Sequence, residues 1–228
     1  MSLLCLIGLC RSSYGFDLFW ATALVASWDD LAHPMDTMRY GPEHKAEVHE
    51  KIVKDASRRV RAEGIQGAAV SSVMQDAGLT HGGFYKHFDS KDDLLVESLR
   101  QAFREIADRL ALAAEKSPPG TAWKAIVKAY LSPEHCDHPD FGCPLAALAP
   151  DLARAEAGMK GRIVEAMSDY RDRLLPFMPG RRKADRERAF LTMISTMLGA
   201  VALARILPDR AGRAKVLGTA RDFLLKSF

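Results

Sequence analysis

The chain has 228 residues, 48% of them hydrophobic and 27% charged, with a formal net charge of +3. That length holds one small domain and one medium one, and the composition is that of an ordinary soluble protein without repeats or low-complexity segments. The mild positive charge permits nucleic-acid binding without arguing for it, because such binding needs only a local basic face. Four cysteines, Cys5, Cys10, Cys136 and Cys143, are too few and too irregularly spaced for a disulfide framework, and a reducing cytosol is the expected setting.

Residues 1–37 show no helical or strand pattern continuous with the later domain. The apolar runs at 3–9 and 18–28 are too short to span a bilayer and are interrupted or flanked by Arg11, Asp17, Asp29 and Asp30. No basic start and small-residue cleavage site marks a secretory signal. The segment reads as an extension outside the working protein, with Met38 as a natural start; a weak membrane-contact or partner segment is the alternative.

The pattern then turns helical. Ile52, Val53, Ala56 and Val60 recur at helical spacing, with Arg58, Arg59 and Arg61 outside and Gly64 at the end. Val70, Val73, Met74 and Ala77 give a second, short helix one apolar face, and Gly78 closes it in the left-handed conformation. Thr80 is placed to cap a third helix over residues 81–88, whose buried stripe is Phe84 and Phe88. Ser90, with Asp93 three residues on, reads as the capping box of a longer helix over residues 90–114. Helix, glycine turn, short helix with polar and aromatic tips is the form of a helix-turn-helix, whose second helix enters the DNA major groove.

The run G-L-T-x-G-x-F-Y-x-H-F-x-S-K-x-x-L, from Gly78 to Leu94, resembles the DNA-binding domain of the TetR/AcrR family of bacterial transcription regulators, and the resemblance covers residues 45–95. It implies an all-α fold: an N-terminal three-helix helix-turn-helix domain over 38–95 and a C-terminal helical ligand-binding and dimerisation domain over 96–228. It also implies a cytoplasmic, homodimeric, ligand-responsive repressor of transcription. One departure stands out: Ala69 occupies the place where the family has a capping Thr or Ser, and Ser71 or Ser72 is the candidate substitute.

Beyond the long fourth helix, with its stripe of Leu94, Leu95, Leu99, Phe103, Ile106 and Leu110, residues 117–120 form the clearest break in the chain. A helix over 121–131 presents Trp123, Ile126, Val127 and Tyr130. Residues 132–142 read as a polar loop. An apolar helix over 143–155 comes next, with Pro144 in its first turn and Pro150 expected to kink or split it, then an amphipathic helix over 158–177. Two helices, over 183–206 and 209–228, close the chain. The first of them is apolar around nearly its whole circumference, so it is buried on several sides. A dimer interface carried by Phe190, Ile194, Met197, Leu198 and Val201 covers the extra face; an internal core helix in a monomer is the alternative. The resemblance implies that the last two helices of each subunit form a four-helix interface.

The DNA-contacting set expected from these patterns is Ser71, Ser72, Thr80, His81, Gly82, Gly83, Tyr85, Lys86, His87 and Lys91. Lys86 can donate to guanine O6 or N7, and Gly82–Gly83 permits close backbone approach. Tyr85 and His87 are expected on phosphates, as are Ser71, Ser72 and Lys91, the last beside a helix N-terminus. The effector pocket is expected between Trp123, Tyr130, Phe141, Cys143, Leu145, Leu148, Met159, Ile163, Met167 and Tyr170, an apolar and aromatic set suited to a small, mainly apolar molecule. His135, Cys136, His138 and Cys143 do not have the spacing of a closed metal site, so no metal or other cofactor is expected. Cys143, at a helix start where the dipole favours the thiolate, raises the alternative of a redox- or electrophile-sensing regulator. No catalytic constellation is visible, so the chain is not expected to be an enzyme. A helical enzyme or an interaction module without DNA binding is the rival of another class.

Overall fold

A computed structural model describes residues 42–228; the predicted 1–37 extension, with Cys5 and Cys10, lies outside the described residues. Nine α-helices run in chain order, with no strand among the described residues. They are α1 (Pro42–Gly67), α2 (Val70–Asp76), α3 (Lys91–Glu115), α4 (Ala122–Tyr130), α5 (Pro133–Asp137), α6 (Pro144–Ala153), α7 (Ala157–Leu174), α8 (Lys183–Ile206) and α9 (Arg210–Ser227). The third element of the helix-turn-helix is not an α-helix but a 3-10 helix over His81–Lys86.

Side-chain burial divides into two clusters. The smaller joins Ile52, Val53 and Ala56 of α1, Val70, Val73 and Met74 of α2, Phe84, Phe88 and Leu94. The larger runs from Val60 through α3, α4, α6, α7 and α8 to Leu224. α3 belongs to both: Leu94 sits in the first cluster, and Leu99 to Ala114 in the second. It packs along α1, α4 and α7, so one rigid rod spans from the helix-turn-helix to the helical core.

The start of α3 is fixed by its cap. The Ser90 hydroxyl accepts from the Asp93 backbone N–H at 3.1 Å and donates to the Asp93 carboxylate at 2.6 Å. Arg162 of α7 reaches the other oxygen of Asp93 at 2.5 Å, which ties the cap to the far core. Gly64 (φ 78°) breaks the helical conformation of α1 where the sequence places the end, and Gly78 (φ 76°) closes α2.

The segment 132–142, expected as a loop, folds into α5 and a 3-10 turn, Pro139–Phe141. The cause is local: Ser132 accepts from the His135 N–H at 3.2 Å and Pro133 fills the first helical position, a start that needs no partner for the proline nitrogen. Burial of His135 and Cys136 holds the turn in place.

α8 is the one helix among the described residues long and apolar enough to cross a bilayer, and only 39% of that apolar stretch is buried inside the chain. Leu191, Leu203 and Ile206, with Phe223 of α9, stay exposed.

Candidate nucleic-acid interface and effector core

The helix-turn-helix is pinned from beneath. Phe84 and Phe88 stack at 5.4 Å between ring centroids, and His49 of α1 stacks on Phe88 at 4.6 Å. His49 also meets Glu97 of α3 at 2.6 Å. Leu79 N–H returns to the Met74 carbonyl at 2.8 Å, and Lys51 Nζ donates to the Ala77 carbonyl at 3.1 Å, capping the end of α2 from α1. Sequence reasoning missed Lys51, since a lysine on the polar face of a helix looks like any solvated one.

With the aromatics inward, Ser71, Thr80, His81, Gly82, Tyr85, Lys86 and Lys91 face outward; Ser72 and Gly83 are partly covered. Tyr85 is 67% exposed and sets its ring edge-on to Phe84 at 5.2 Å. Two expectations need correction. Thr80 makes no side-chain cap bond; its backbone carbonyl, accepting from Gly83 N–H at 2.9 Å, closes the turn instead. Neither Ser71 nor Ser72 replaces the missing cap at Ala69, because both lie inside the first turn, beyond the position from which a side chain reaches the free amides. His87 is turned partly inward beside His49, with its Nδ1 buried and without a hydrogen-bond partner. Burial, followed by the nearby His49, Lys45 and Lys86 charges, lowers its pKa and favours the neutral ring.

The predicted effector walls gather in the larger core, all but one. Trp123, Tyr130, Cys143, Leu148, Ile163 and Tyr170 are buried there, with Leu145, Met159 and Met167 packed against them. Phe141 is the exception: it is 43% exposed and lies under the Arg58 guanidinium, 5.0 Å from the ring centroid. The 3-10 turn carries it out to α1, a placement that its loop position in the sequence does not reveal.

At the centre of this core is a polar cluster. His135 Nδ1 meets the Tyr130 carbonyl at 2.6 Å, and its Nε2 accepts from the Cys143 N–H at 2.8 Å. The first contact requires the proton on Nδ1 and the second an unprotonated Nε2, so the ring is neutral, and burial lowers its pKa to about 4. Arg205 of α8 donates to the carbonyls of Cys136 and His135 at 3.0 and 2.9 Å. The hydroxyls of Tyr130 and Tyr170 and the Nη1 of Arg205 are buried without a hydrogen-bond partner. The Tyr130 hydroxyl adjoins the Cys143 sulfur without hydrogen-bond geometry.

The Cys143 thiol is wholly inaccessible, and burial raises its pKa. The Tyr130 hydroxyl, the Ala146 and Leu145 amides at the start of α6 and the Arg205 charge all pull it down, as the helix-start argument requires, but desolvation outweighs them. The expected low-pKa thiolate is therefore overturned.

Comparison with known proteins bears on both halves. Residues 52–97 match the family model for bacterial regulatory proteins of the tetR family. Over 135 residues the chain is 23% identical to the HTH-type transcriptional regulator LmrA of Bacillus subtilis, covering 58% of this chain and 69% of LmrA. Over 78 residues it is 31% identical to the regulator TtgR of Pseudomonas putida, covering 34% of this chain and 37% of TtgR. A TetR transcriptional regulator from Chloroflexus aurantiacus superposes with a TM-score of 0.64 at 25% identity, over 81% of this chain and 95% of that one. The helix-turn-helix half is of the tetR family type, and the chain has the fold of a TetR regulator.

It is a DNA-binding transcriptional regulator of the helix-turn-helix class. In this chain the outer face of α8 is not the predicted one. Phe190, Ile194, Met197 and Val201 are buried in the chain's own core and not free to meet a partner, while Leu198 is half-buried. The exposed apolar face is that of Leu191, Leu203 and Ile206. A helix that is apolar all round carries no phase from which to tell its two sides apart.

Proposed function

We propose that this regulator is a homodimeric repressor that binds an inverted-repeat operator and is released from it by a small molecule with a largely apolar body. In this reading residues 38–95 bind DNA, residues 96–228 bind the effector and the second subunit, and the protein acts in the cytoplasm. It regulates and does not catalyse.

The observation that carries the reading is the outward array of the helix-turn-helix. His81, Gly82, Tyr85 and Lys86 are exposed on a short helix whose Phe84 and Phe88 are anchored in the core. Exposed Lys91 stands just beyond, at the N-terminus of α3. We assign Lys86 to a base edge and Tyr85 and Lys91 to phosphates. His81 and Gly82, at the start of the short helix, are placed to approach the groove, and Gly83, Thr80, Ser71 and Ser72 to flank it.

The dimer reading is supported by the exposed Leu191, Leu203, Ile206 and Phe223 and by an apolar groove of about 530 Å³ between α8 and α9, lined by Gly199, Ala200, Leu203, Val216, Ala220 and Phe223. Pairing these faces presents two recognition helices to half-sites roughly 34 Å apart, one helical turn or a multiple of it. An effector in the core around α4, α6 and α7 shifts α3, and with it the recognition helix. Any loss of DNA affinity equals the loss of effector affinity that DNA imposes.

Selection of bound duplexes from a random pool tests the reading. Recovery of an inverted repeat supports it, and recovery of no sequence above background defeats it.

A further inference from the structure

Tyr130, Tyr170 and Arg205 place three donors in the core with nothing to receive them. Both tyrosine side chains are almost completely buried, Tyr130 at 0% and Tyr170 at 2% exposure. Their hydroxyls and the Arg205 Nη1 lack any hydrogen-bond partner. All three residues lie close enough to Cys143 to interact with it electrostatically. Native interiors rarely leave buried polar groups unpaired, and an orphan asks for an explanation.

The neighbours cannot supply an acceptor. Both His135 nitrogens are engaged, one at the Tyr130 carbonyl and one at the Cys143 N–H. A thiol is a weak acceptor. Among the described residues no carboxylate pairs with Arg205, whose remaining donors go to two backbone carbonyls. The titratable groups nearest to it, Cys136, Tyr130 and Cys143, are all held neutral by burial and give it no counter-charge. A buried cation without an anion is unfavourable unless a counter-charge arrives.

Around this polar point the walls are apolar. The Tyr170 ring stands 5.8 Å from Phe103 and 6.0 Å from Phe190, with Val127, Leu148 and Ile163 in the same cluster.

We infer that Tyr130, Tyr170 and Arg205 form the seat for the effector's polar end, and that the effector is a weak organic acid, a carboxylate on an apolar body. This rests on the reading of the chain as an effector-controlled regulator and names the chemistry of that site. A carboxylate has two oxygens and about four acceptor positions, enough for two phenol hydroxyls and one guanidinium N–H, and it supplies the missing negative charge. A neutral alcohol offers one oxygen and no charge. The seat also touches the DNA-binding half. Gly142, beside Cys143, is held by Arg61 of α1 at 3.1 Å. There is no slack around it, since a Cβ there would lie 3.0 Å from Arg205 Nη2 and from His135 Nε2. A carboxylate that draws Arg205 toward the tyrosines moves the surroundings of Gly142 and thereby pulls on α1.

The test uses the full chain without DNA, at neutral pH where carboxylates are ionised, and two matched pairs of probes: 2-naphthoate with 2-naphthalenemethanol, and octanoate with 1-octanol. Calorimetric titration is expected to find at least one acid binding about tenfold or more tighter than its alcohol. Tyr170→Phe removes one oxygen that has no partner. It is expected to leave the melting temperature unchanged or higher, to weaken the acid about tenfold and to leave the alcohol unaffected. If Tyr170→Phe does not fold, Tyr130→Phe carries the same comparison. Neither acid binding, acids and alcohols binding equally, or tyrosine variants binding the acid as the parent does overturns the inference. DNA binding, measured separately, keeps the two claims apart. A chain that binds DNA but neither acid loses only this inference, and one that binds an acid but no DNA loses the regulator reading alone.

Discussion

The Arg61 guanidinium in α1 donates to the Gly142 carbonyl oxygen 3.1 Å away, across a sequence separation of 81 residues. The same side chain is fully buried, meets Glu105 of α3 at 2.6 Å, and bonds back to the Ser57 carbonyl and hydroxyl. Arg109 of α3 donates to the Phe141 carbonyl next door, and Arg58 covers the Phe141 ring. Three arginines thus fasten the 3-10 turn of residues 139–141 and the glycine after it to the helices that carry the DNA-binding half. The segment that ends at Cys143 in the effector core is also a direct link to α1, parallel to the α3 rod.

Arg61→Met should expose how much that link contributes. It deletes four hydrogen bonds, leaves the Gly142 carbonyl without its Arg61 donor, and leaves the Glu105 carboxylate with only Gln101 Nε2, at 3.0 Å. A loss of about 3 kcal/mol in urea unfolding is expected for a buried, charge-assisted group. An unchanged midpoint and slope would mean that the contact contributes nothing.

Position on α8 decides what a substitution does. Leu203 is 52% exposed and Ile194 is 9% exposed. Leu203→Glu should convert dimers to folded monomers in sedimentation velocity. Ile194→Ala should keep the dimer but cost about 2–5 kcal/mol of stability through the cavity it leaves. A Leu203→Glu chain that sediments as the parent does removes this face from the interface.

His135 predicts an acid-sensitive core. Its folded pKa of about 4 lies below the ordinary 6.5, so the unfolded chain binds the proton more readily than the folded one. Its contribution is complete above pH 6.5 and is lost progressively as pH falls toward about 4, amounting to about 3 kcal/mol. His87, also lowered, acts in the same direction. Denaturant melts across that range should show the decline, and His135→Gln should flatten it. A parent chain equally stable at both ends contradicts the assignment of a neutral, buried imidazole.

Cys143 should resist modification. With the thiol inaccessible and its pKa raised by burial, iodoacetamide at neutral pH is expected to leave it untouched in the native chain and to label it in urea, as read by peptide mass mapping. Rapid native labelling at Cys143 would restore the thiol-sensor alternative.

The helix-turn-helix is legible in the sequence because its determinants are local. Gly78 needs a left-handed backbone, Ser90 and Asp93 mark a cap by spacing alone, and Phe84 and Phe88 fall on one face. The start of α5 is legible too, since Ser132 and Pro133 are the same kind of signal, but the polar composition of the segment points to a loop. Other features depend on tertiary placement. Arg61 looks like its neighbours Arg58 and Arg59, and only the return of residues 141–143 to α1 buries it. The inward and outward sides of α8 are indistinguishable until α9 covers one of them. Cys143 has the helix start that favours a thiolate, and the depth that cancels it is not written in its neighbours.

A salt titration of binding asks whether the exposed tip of the helix-turn-helix reads DNA, the point on which the regulator's function turns. Dissociation constants of the parent chain, Lys86→Ala and Lys91→Ala are measured on the selected operator and on a scrambled duplex of the same length. The parent should prefer the operator, with affinity falling linearly on a log–log plot against salt. Lys91→Ala should weaken both duplexes and reduce the slope by about one. Lys86→Ala should cost about 1–3 kcal/mol on the operator and little on the scrambled duplex. Equal, salt-independent binding to both duplexes, or no effect of either lysine, would contradict a DNA-reading role for this tip.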